Sequence, residues 1–161
     1  MKSAPKTNAM RMLDKQKIVY KEYAYDIDDG LIDGHSVYKK LGMDPASFFK
    51  TLVTRGKDKQ IFVFVIPVLE ELDLKKAAKS VNEKNVEMLP VKELLAITGY
   101  VRGGCSPVGM KKLYTTVFDK SIDGLDEIFV SGGRKGLLMR LQPDDLLKVT
   151  EGKTEEITLV S

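Results

Sequence analysis

Residues 48–67 read FFKTLVTRGKDKQIFVFVIP and have the composition of two β-strands joined by a short polar turn. The strands would cover residues 48–55 and 60–67, with the turn at residues 56–59. The second strand is apolar at both alternating sets of positions, which is typical of a strand covered on both faces. The stretch therefore predicts a β-hairpin with a buried second strand.

Helices and strands follow one another on both sides of this hairpin. Apolar spacing, caps and terminating glycines predict helices over residues 8–16, 36–41, 74–80, 91–98 and 143–149. Branched and aromatic runs predict strands at residues 18–25, 86–88, 115–118, 127–131 and 137–141, with a weak strand at 157–159. In the third helix, Leu74, Ala77 and Ala78 are expected to face inward. With no internal repeat or interdomain linker, this order predicts one α+β domain on a mixed sheet, spanning residues 1–161.

The composition limits the classes of protein to which this chain can belong. A chain of 161 residues with 43% hydrophobic and 30% charged residues is typical of one globular domain that buries its own core. No apolar run approaches the roughly 20 residues that span a bilayer, and the N-terminal residues lack the apolar core of a signal peptide. The single cysteine, Cys105, cannot form an internal disulfide. These features predict a cytoplasmic protein with no membrane partner.

The sequence does not indicate a metal or a common cofactor. One histidine and one cysteine exclude zinc sites of the Cys₄ or Cys₂His₂ kind, and the acidic residues between 26 and 33 do not complete a calcium-binding loop. There is no Walker phosphate loop, no dinucleotide-binding glycine motif after a strand and no Gly-x-Ser-x-Gly elbow. We therefore expect neither a metal nor a cofactor.

A glycine-rich segment, residues 99–112, reads GYVRGGCSPVGMKK and is here called the glycine loop. Its four glycines within eleven positions allow left-handed backbone angles and close approach to a ligand. The N–H groups of Gly103 and Gly104 are expected to face outward, and Lys111 and Lys112 add positive charge at the mouth. The loop predicts the wall of a site for an anion or a polarised carbonyl.

Lys50 lies on the first strand of the hairpin and shares a face with Phe48 and Leu52 because side chains alternate along a strand. An ammonium group among apolar neighbours is costly unless it lines a cavity or meets an anion. The alternative interpretation is a lysine at a sheet edge, where its charge discourages pairing with other strands.

Cys105 lies in the glycine loop, where nearby N–H groups could lower the pKa of its thiol and make it a nucleophile. The only histidine lies in a distant polar segment, so a second interpretation is a small residue that fills space in the loop. Ser106 and Ser131 are candidates for hydrogen bonds to a ligand, or turn residues.

Basic residues occur in three groups, although the net charge is only +3, from 26 basic and 23 acidic residues. The groups are Lys75, Lys76, Lys79 and Lys84; Lys111 and Lys112; and Arg134 and Lys135. If they converge in space, they form a cationic face for a phosphate backbone. If they do not, they are three separate solvated surfaces.

Several separated motifs, taken in order, resemble one family. They are FKTL at 49–52, LDLKKAAKS at 72–80, VEM at 86–88, TGYVRGGCSPVGMKK at 98–112 and VSGGRKGL at 130–137. The chain is similar in these motifs to the YbaK/EbsC family of Cys-tRNA(Pro) deacylases, which are relatives of the editing domain inserted in bacterial prolyl-tRNA synthetases. The resemblance covers about residues 8–149.

The resemblance implies a mixed β-sheet that closes into a barrel-like core flanked by helices. It implies trans-editing, in which a mischarged amino acid, cysteine foremost, is removed from tRNA(Pro). Lys50 matches the essential lysine of the family, and Gly103 matches a pocket glycine that faces the aminoacyl ester, so both are predicted to be catalytic. The predicted substrate-binding residues are Tyr23, Thr51, Gly104, Ser106, Ser131 and Gly132. The predicted tRNA contacts are Lys75, Lys76, Lys79, Lys111, Lys112, Arg134 and Lys135.

In this family the thiol of the substrate cysteine is thought to attack its own ester, so the protein needs no nucleophile. The implied partner is aminoacylated tRNA, with prolyl-tRNA synthetase as a further candidate. The chain departs from the pattern at Leu138, where some members carry an aspartate, and at Cys105, where an aliphatic residue is common. Two alternatives stay open, a non-catalytic regulatory module that binds a nucleotide or tRNA in the same pocket, and a cysteine-dependent hydrolase.

Overall fold

The computed structural model describes residues 5–30 and 34–159. The described residues form five helices, α1 (Asn8–Lys15), α2 (Gly34–Leu41), α3 (Leu74–Ser80), α4 (Val91–Thr98) and α5 (Pro143–Thr150). They also form eight strands, β1 (Lys21–Ala24), β2 (Phe49–Arg55), β3 (Ile61–Pro67), β4 (Glu87–Met88), β5 (Thr115–Asp119), β6 (Ile128–Ser131), β7 (Leu137–Leu141) and β8 (Lys153–Glu155). The predicted α+β class is confirmed.

The strands form two sheets. The first has the order β1-β7-β6 and is antiparallel throughout. The second has the order β4-β2-β3-β5-β8 and is mixed, because β2 pairs antiparallel with β3 and β4, whereas β3–β5 and β5–β8 are parallel. Among the residues that the structure describes, one β-bridge, between Phe48 and Phe129, links the two sheets.

The hairpin predicted from residues 48–67 is present as β2 and β3, paired from Phe49 with Pro67 to Arg55 with Ile61. Strand β3 is buried at every position from Phe62 to Pro67. Its two faces enter different parts of the core: Val63 and Val65 pack with α1 and α5, whereas Phe62, Phe64 and Ile66 pack with α3. The lack of alternation in its sequence follows from this position.

Local signals in the sequence set the ends of two helices. The carboxylate of Asp73 accepts hydrogen bonds from the N–H groups of Lys75 and Lys76, so α3 begins at the predicted N-cap. Helix α4 ends at Gly99, which adopts a left-handed conformation with φ of +87°. Its N–H donates to the carbonyl of Leu95, and the chain turns there into the glycine loop.

Three expectations are corrected. Neither sheet closes into a barrel, since β4 pairs with β2 only at Thr54 and Arg55 and the two sheets share one bridge in the described part of the chain. Leu74 does not face inward but is 42% exposed. The final strand is Lys153–Glu155, which pairs in parallel with β5, whereas Thr158 forms only an isolated bridge with Leu72.

None of the described helices combines the length and the apolar character needed to cross a bilayer.

Candidate functional site

A cavity of about 630 Å³ lies where the two sheets and the glycine loop meet. It is lined by residues of β2, β6 and β7, by the glycine loop and by the turn between β6 and β7. The lining residues are Tyr25, Gly30, Val37, Phe48, Phe49, Lys50, Thr51, Val68, Arg102, Gly103, Cys105, Ser131, Lys135 and Leu138. The structure thus brings Lys50 and Gly103, the two predicted catalytic residues, to one cavity.

The floor of the cavity is apolar. Phe48, Val37, Val68 and Leu138 all line it and belong to one buried cluster. The ring of Phe48 stacks on Phe129 with 4.3 Å between centroids and 18° between planes. This packing gives a rigid surface that suits a small side chain and the base or sugar of a nucleotide.

Lys50 lies within the β2–β3 pairing, opposite Ile66, and is half-buried. Burial lowers the pKa of its ammonium group, and the charges of Glu71 and Glu70 act in the opposite direction. Within the described residues it forms no hydrogen bond or ion pair within 4.0 Å. A partly desolvated cation that lacks a close protein partner is suited to an anionic or strongly polar ligand.

Thr51 lies next to Lys50 on β2 and also lines the cavity. Its Oγ1 is buried and has no hydrogen-bond partner among the described residues. Buried hydroxyl groups nearly always have a partner, and leaving one unpaired costs about 1–3 kcal/mol. A polar substrate group that pairs with this hydroxyl would remove that cost.

The two adjacent glycines of the loop differ in the use of their N–H groups. Gly103 has φ of +85°, and its N–H forms no hydrogen bond with the described residues. The N–H of Gly104 donates to the carbonyl of Val101 at 3.0 Å, so it closes the turn and does not face outward as expected. Gly103 is therefore the glycine of this pair that keeps an N–H available for a ligand.

Ser131 is the second of the predicted substrate-binding residues, after Thr51, that lines the cavity. It ends β6 opposite Leu138, and its Oγ accepts a hydrogen bond from the N–H of Gly133 at 3.2 Å. Its hydroxyl proton has no acceptor among the described residues and can be donated to a ligand.

The other four predicted substrate-binding residues lie behind the wall of the cavity. Ser106 is fully buried, and its Oγ accepts from the N–H of Val108. A Cβ at Gly132 would lie 2.7 Å from the side chain of Leu137, and one at Gly104 would lie 2.7 Å from the Cα of Arg134.

Tyr23, the last of these four, packs edge-on against Phe129 and accepts a hydrogen bond from Arg140 at 3.3 Å. It supports the floor of the cavity from below. In this structure all four residues shape the wall, and none of them lines the cavity.

Cys105 lines the cavity, but its thiol is poorly suited to nucleophilic attack because its pKa is raised. Burial raises the pKa of the Cys105 thiol to about 12, against a smaller opposing effect of a hydrogen bond with Thr98. The thiol is therefore protonated at neutral pH, whereas the thiolate is the nucleophile. Burial of the Cys105 thiol therefore does not favour a cysteine-dependent hydrolase.

If the Cys105 thiol is not the nucleophile, Cys105→Ala should keep deacylation of cysteinyl-tRNA within about threefold of the unmodified protein. Loss of a nucleophile would cost about 10⁴-fold or more. The measurement is single-turnover release of labelled amino acid, with circular dichroism as the check on folding. A loss of the larger size in a folded variant would restore the cysteine-dependent mechanism.

The predicted tRNA contacts do not converge on the cavity, because only Lys135 lines it. Lys112 lines a separate hollow with Arg55, and Lys111 donates to the carbonyl of Ala96. Arg134 donates to the carbonyl of Pro5 at 2.7 Å, which ties the β6–β7 turn to the segment before α1.

The basic residues of α3 lie outside the cavity as well. Lys76 contacts Glu156 and the carbonyl of Thr158, while Lys75 and Lys79 are exposed.

Sequence reasoning missed Arg102 and Tyr25, which line the cavity. The signal for Arg102 was its place in the glycine loop directly before Gly103. Tyr25 follows β1, and its N–H donates to the carbonyl of Gly136, so that only the β1–β7 pairing brings it to the site.

Comparisons with known proteins identify the family of the chain. Residues 35–149 match the model of a family described as the aminoacyl-tRNA editing domain. A protein of Enterococcus faecalis, provisionally named Cys-tRNA(Pro)/Cys-tRNA(Cys) deacylase EbsC, is 45% identical over 157 residues, which are 98% of this chain and 96% of the relative.

Two solved structures share the fold. A protein provisionally described as a trans-editing enzyme for prolyl tRNA synthetase superposes with a TM-score of 0.82 at 21% identity, covering 98% of this chain and all of the other. A hypothetical protein superposes with a TM-score of 0.86 at 18% identity, covering 94% and 99%. At these identities the likeness concerns the fold alone. The family predicted from the sequence motifs is confirmed by the family match and the 45% identical relative: the chain belongs to the aminoacyl-tRNA editing domain family.

Proposed function

We propose that this protein is a trans-editing deacylase that removes cysteine from mischarged tRNA(Pro). The observation that carries the proposal is the cavity itself, which is lined above an apolar floor by Lys50 and by Gly103, whose N–H forms no hydrogen bond with the described residues. The relative that is 45% identical bears the name of such a deacylase. The whole chain, residues 1–161, would act as one editing domain.

The reaction that suits this site needs no nucleophile from the protein. The sulfur of the cysteinyl group attacks its own ester carbonyl, whose oxygen takes up negative charge. The bond between the carbonyl carbon and the ribose oxygen then breaks, and the ribose oxygen takes the proton that the thiol gave up. The products are a cysteine thiolactone and tRNA with a free terminal hydroxyl group.

The protein contributes positioning and electrostatic stabilisation to this step. A cavity of this size holds the ester bent, so that the sulfur lies near the carbonyl carbon, and attack within one molecule gains from this proximity. The N–H of Gly103 would donate to the developing oxyanion, and the ammonium of Lys50 would anchor the terminal ribose or its phosphate. The Thr51 and Ser131 hydroxyl groups would hold polar groups of the substrate.

The decisive test compares esters that differ at the sulfur. We expect rapid deacylation of cysteinyl-tRNA(Pro), and at least about 100-fold slower deacylation of S-methylcysteinyl-tRNA(Pro), because methylation removes the nucleophile while nearly preserving the shape. Alanyl, seryl and prolyl esters on the same tRNA are measured alongside, and thiolactone is detected by mass spectrometry.

Equal rates for the cysteinyl and S-methylcysteinyl esters would reject the role of the substrate sulfur and favour attack by water. Protection of every ester by the protein would instead favour the non-catalytic binding module.

We place the protein in the cytoplasm, where aminoacyl-tRNA is used, and we propose prolyl-tRNA synthetase as a partner that presents the mischarged tRNA. Co-purification of the synthetase with the protein, with and without tRNA, tests the partnership. Deacylation that proceeds at the same rate with and without the synthetase would count against it.

A further inference from the structure

Two cations from separate loops stand at the same cavity. Arg102 belongs to the glycine loop and Lys135 to the turn between β6 and β7, and both line the cavity that contains Lys50. Both side chains are exposed, and within the described residues neither forms a hydrogen bond or an ion pair. Their charges are therefore available to a ligand that enters from solvent.

The backbones of the two loops are held close together. A Cβ at Gly104 would lie 2.7 Å from the Cα of Arg134 and 2.9 Å from the nitrogen of Lys135, a separation that only glycine permits. The turn that carries Lys135 is fixed in addition by the bond of Arg134 to Pro5. The glycine loop and this turn thus form one rigid rim.

The charge of the lining indicates which part of a substrate the rim meets. The described lining contains three cations and no carboxylate. An aminoacyl group carries a cationic α-amino group, which such a rim repels, so the cations do not suit that part of the molecule. The anions near the ester are the phosphodiesters of the last nucleotides of the tRNA.

We propose that Arg102 and Lys135 form a clamp for a phosphodiester of the 3′-terminal nucleotides of tRNA. The inference rests on the proposed function and deepens it, since it assigns the two sides of the cavity mouth to the nucleic-acid backbone and leaves the interior to the terminal ribose and its aminoacyl ester. The guanidinium of Arg102 offers a fork of donors that matches two phosphate oxygens, and Lys135 adds a point charge.

The test compares two substrates that share the ester but not the phosphate. Arg102→Ala and Lys135→Ala are measured on cysteinyl-tRNA and on 3′-O-cysteinyl-adenosine, which has no phosphate. We expect KM for the tRNA to rise about tenfold for each variant with little change in kcat, and no change for the nucleoside ester. The slope of log KM against log salt should decrease by about 0.7 for each lost phosphate contact.

Controls separate recognition of phosphate from general charge and from folding. Lys120→Ala removes an exposed lysine elsewhere and should leave both KM values as they were. Arg102→Lys keeps the charge and should recover part of the loss. Equal losses on both substrates, or no loss on either, would overturn the clamp.

Binding of uncharged acceptor-stem RNA is measured in parallel. Weaker binding by the double variant supports the clamp even if the unmodified protein cleaves neither ester, a result that would reject only the deacylase. Unchanged binding of this RNA by the double variant overturns the clamp whatever the activity.

Discussion

Replacing Lys50 with methionine is expected to reduce kcat/KM for cysteinyl-tRNA by at least about 100-fold, because it removes the charge that anchors the terminal ribose or its phosphate and so misplaces the ester. Lys50 is the half-buried cation of the cavity, and methionine keeps much of its length while removing the charge. The measurement is single-turnover deacylation, accompanied by a thermal unfolding curve.

The stability of this variant should not decrease. Burial places the pKa of Lys50 below its ordinary value of 10.5, so the folded chain binds the proton less strongly than the unfolded chain. The charge therefore opposes folding below the lowered pKa, and this cost is lost as the pH rises to 10.5. We expect Lys50→Met to unfold at the same or a higher temperature at pH 7, with the difference gone above the ordinary pKa.

Lys148→Met is the matched control, since Lys148 is an exposed lysine in the last turn of α5. It should alter neither the deacylation rate nor, to any large extent, the unfolding temperature. Full activity of Lys50→Met would remove Lys50 from the mechanism. If Lys50→Met unfolds at a much lower temperature, the ammonium group of Lys50 stabilises the folded state.

Gly103→Ala is expected to lower kcat by about 10²–10³-fold, the range for removing one oxyanion donor. Gly103 has φ of +85°, where a Cβ costs about 1–2 kcal/mol, so the backbone shifts and its N–H turns away from the ester. Rates under saturating cysteinyl-tRNA isolate this effect from binding.

Gly124→Ala supplies a control with the same backbone strain. Gly124 also has φ of +85°, and nothing lies within 4 Å of the position its Cβ would take. Both variants should lose similar unfolding free energy, but only Gly103→Ala should lose activity. A matching loss of kcat in the two variants would attribute the effect to general destabilisation.

Local chemistry made much of the fold predictable. Helix α4 was predicted with its observed bounds because Gly99 terminates it, and α3 begins where Asp73 can cap it. Strand β8 was missed because Lys153–Glu155 has no apolar alternation and is defined only by its parallel pairing with β5. Leu74 was misplaced because its helix is short and only Ala77, Ala78 and Ser80 are buried.

The site was predictable where a residue type is unusual for its surroundings in the sequence. A lysine among apolar strand residues and a glycine in a rich loop stand out in the sequence, and Lys50 and Gly103 meet at the cavity. Polar residues gave a weaker signal, because they can form hydrogen bonds within the protein instead of with a ligand. The hydroxyl oxygen of Ser106 accepts a hydrogen bond from Val108 in the same loop, and Arg134 donates to the carbonyl of Pro5 before α1. Whether a serine or an arginine faces a ligand or the backbone depends on tertiary contacts that spacing does not encode.

The stacked rings of Phe48 and Phe129 have a consequence for the choice of substrate. Lys50 and Thr51 belong to one sheet and Ser131 and Leu138 to the other, and this aromatic pair forms the β-bridge that links the sheets within the described residues. The pair acts as a spacer that sets the width of the cleft. A smaller side chain at position 129 would let the opposite walls approach and change which amino acids fit, so selections for altered editing specificity should yield substitutions that never touch the aminoacyl group.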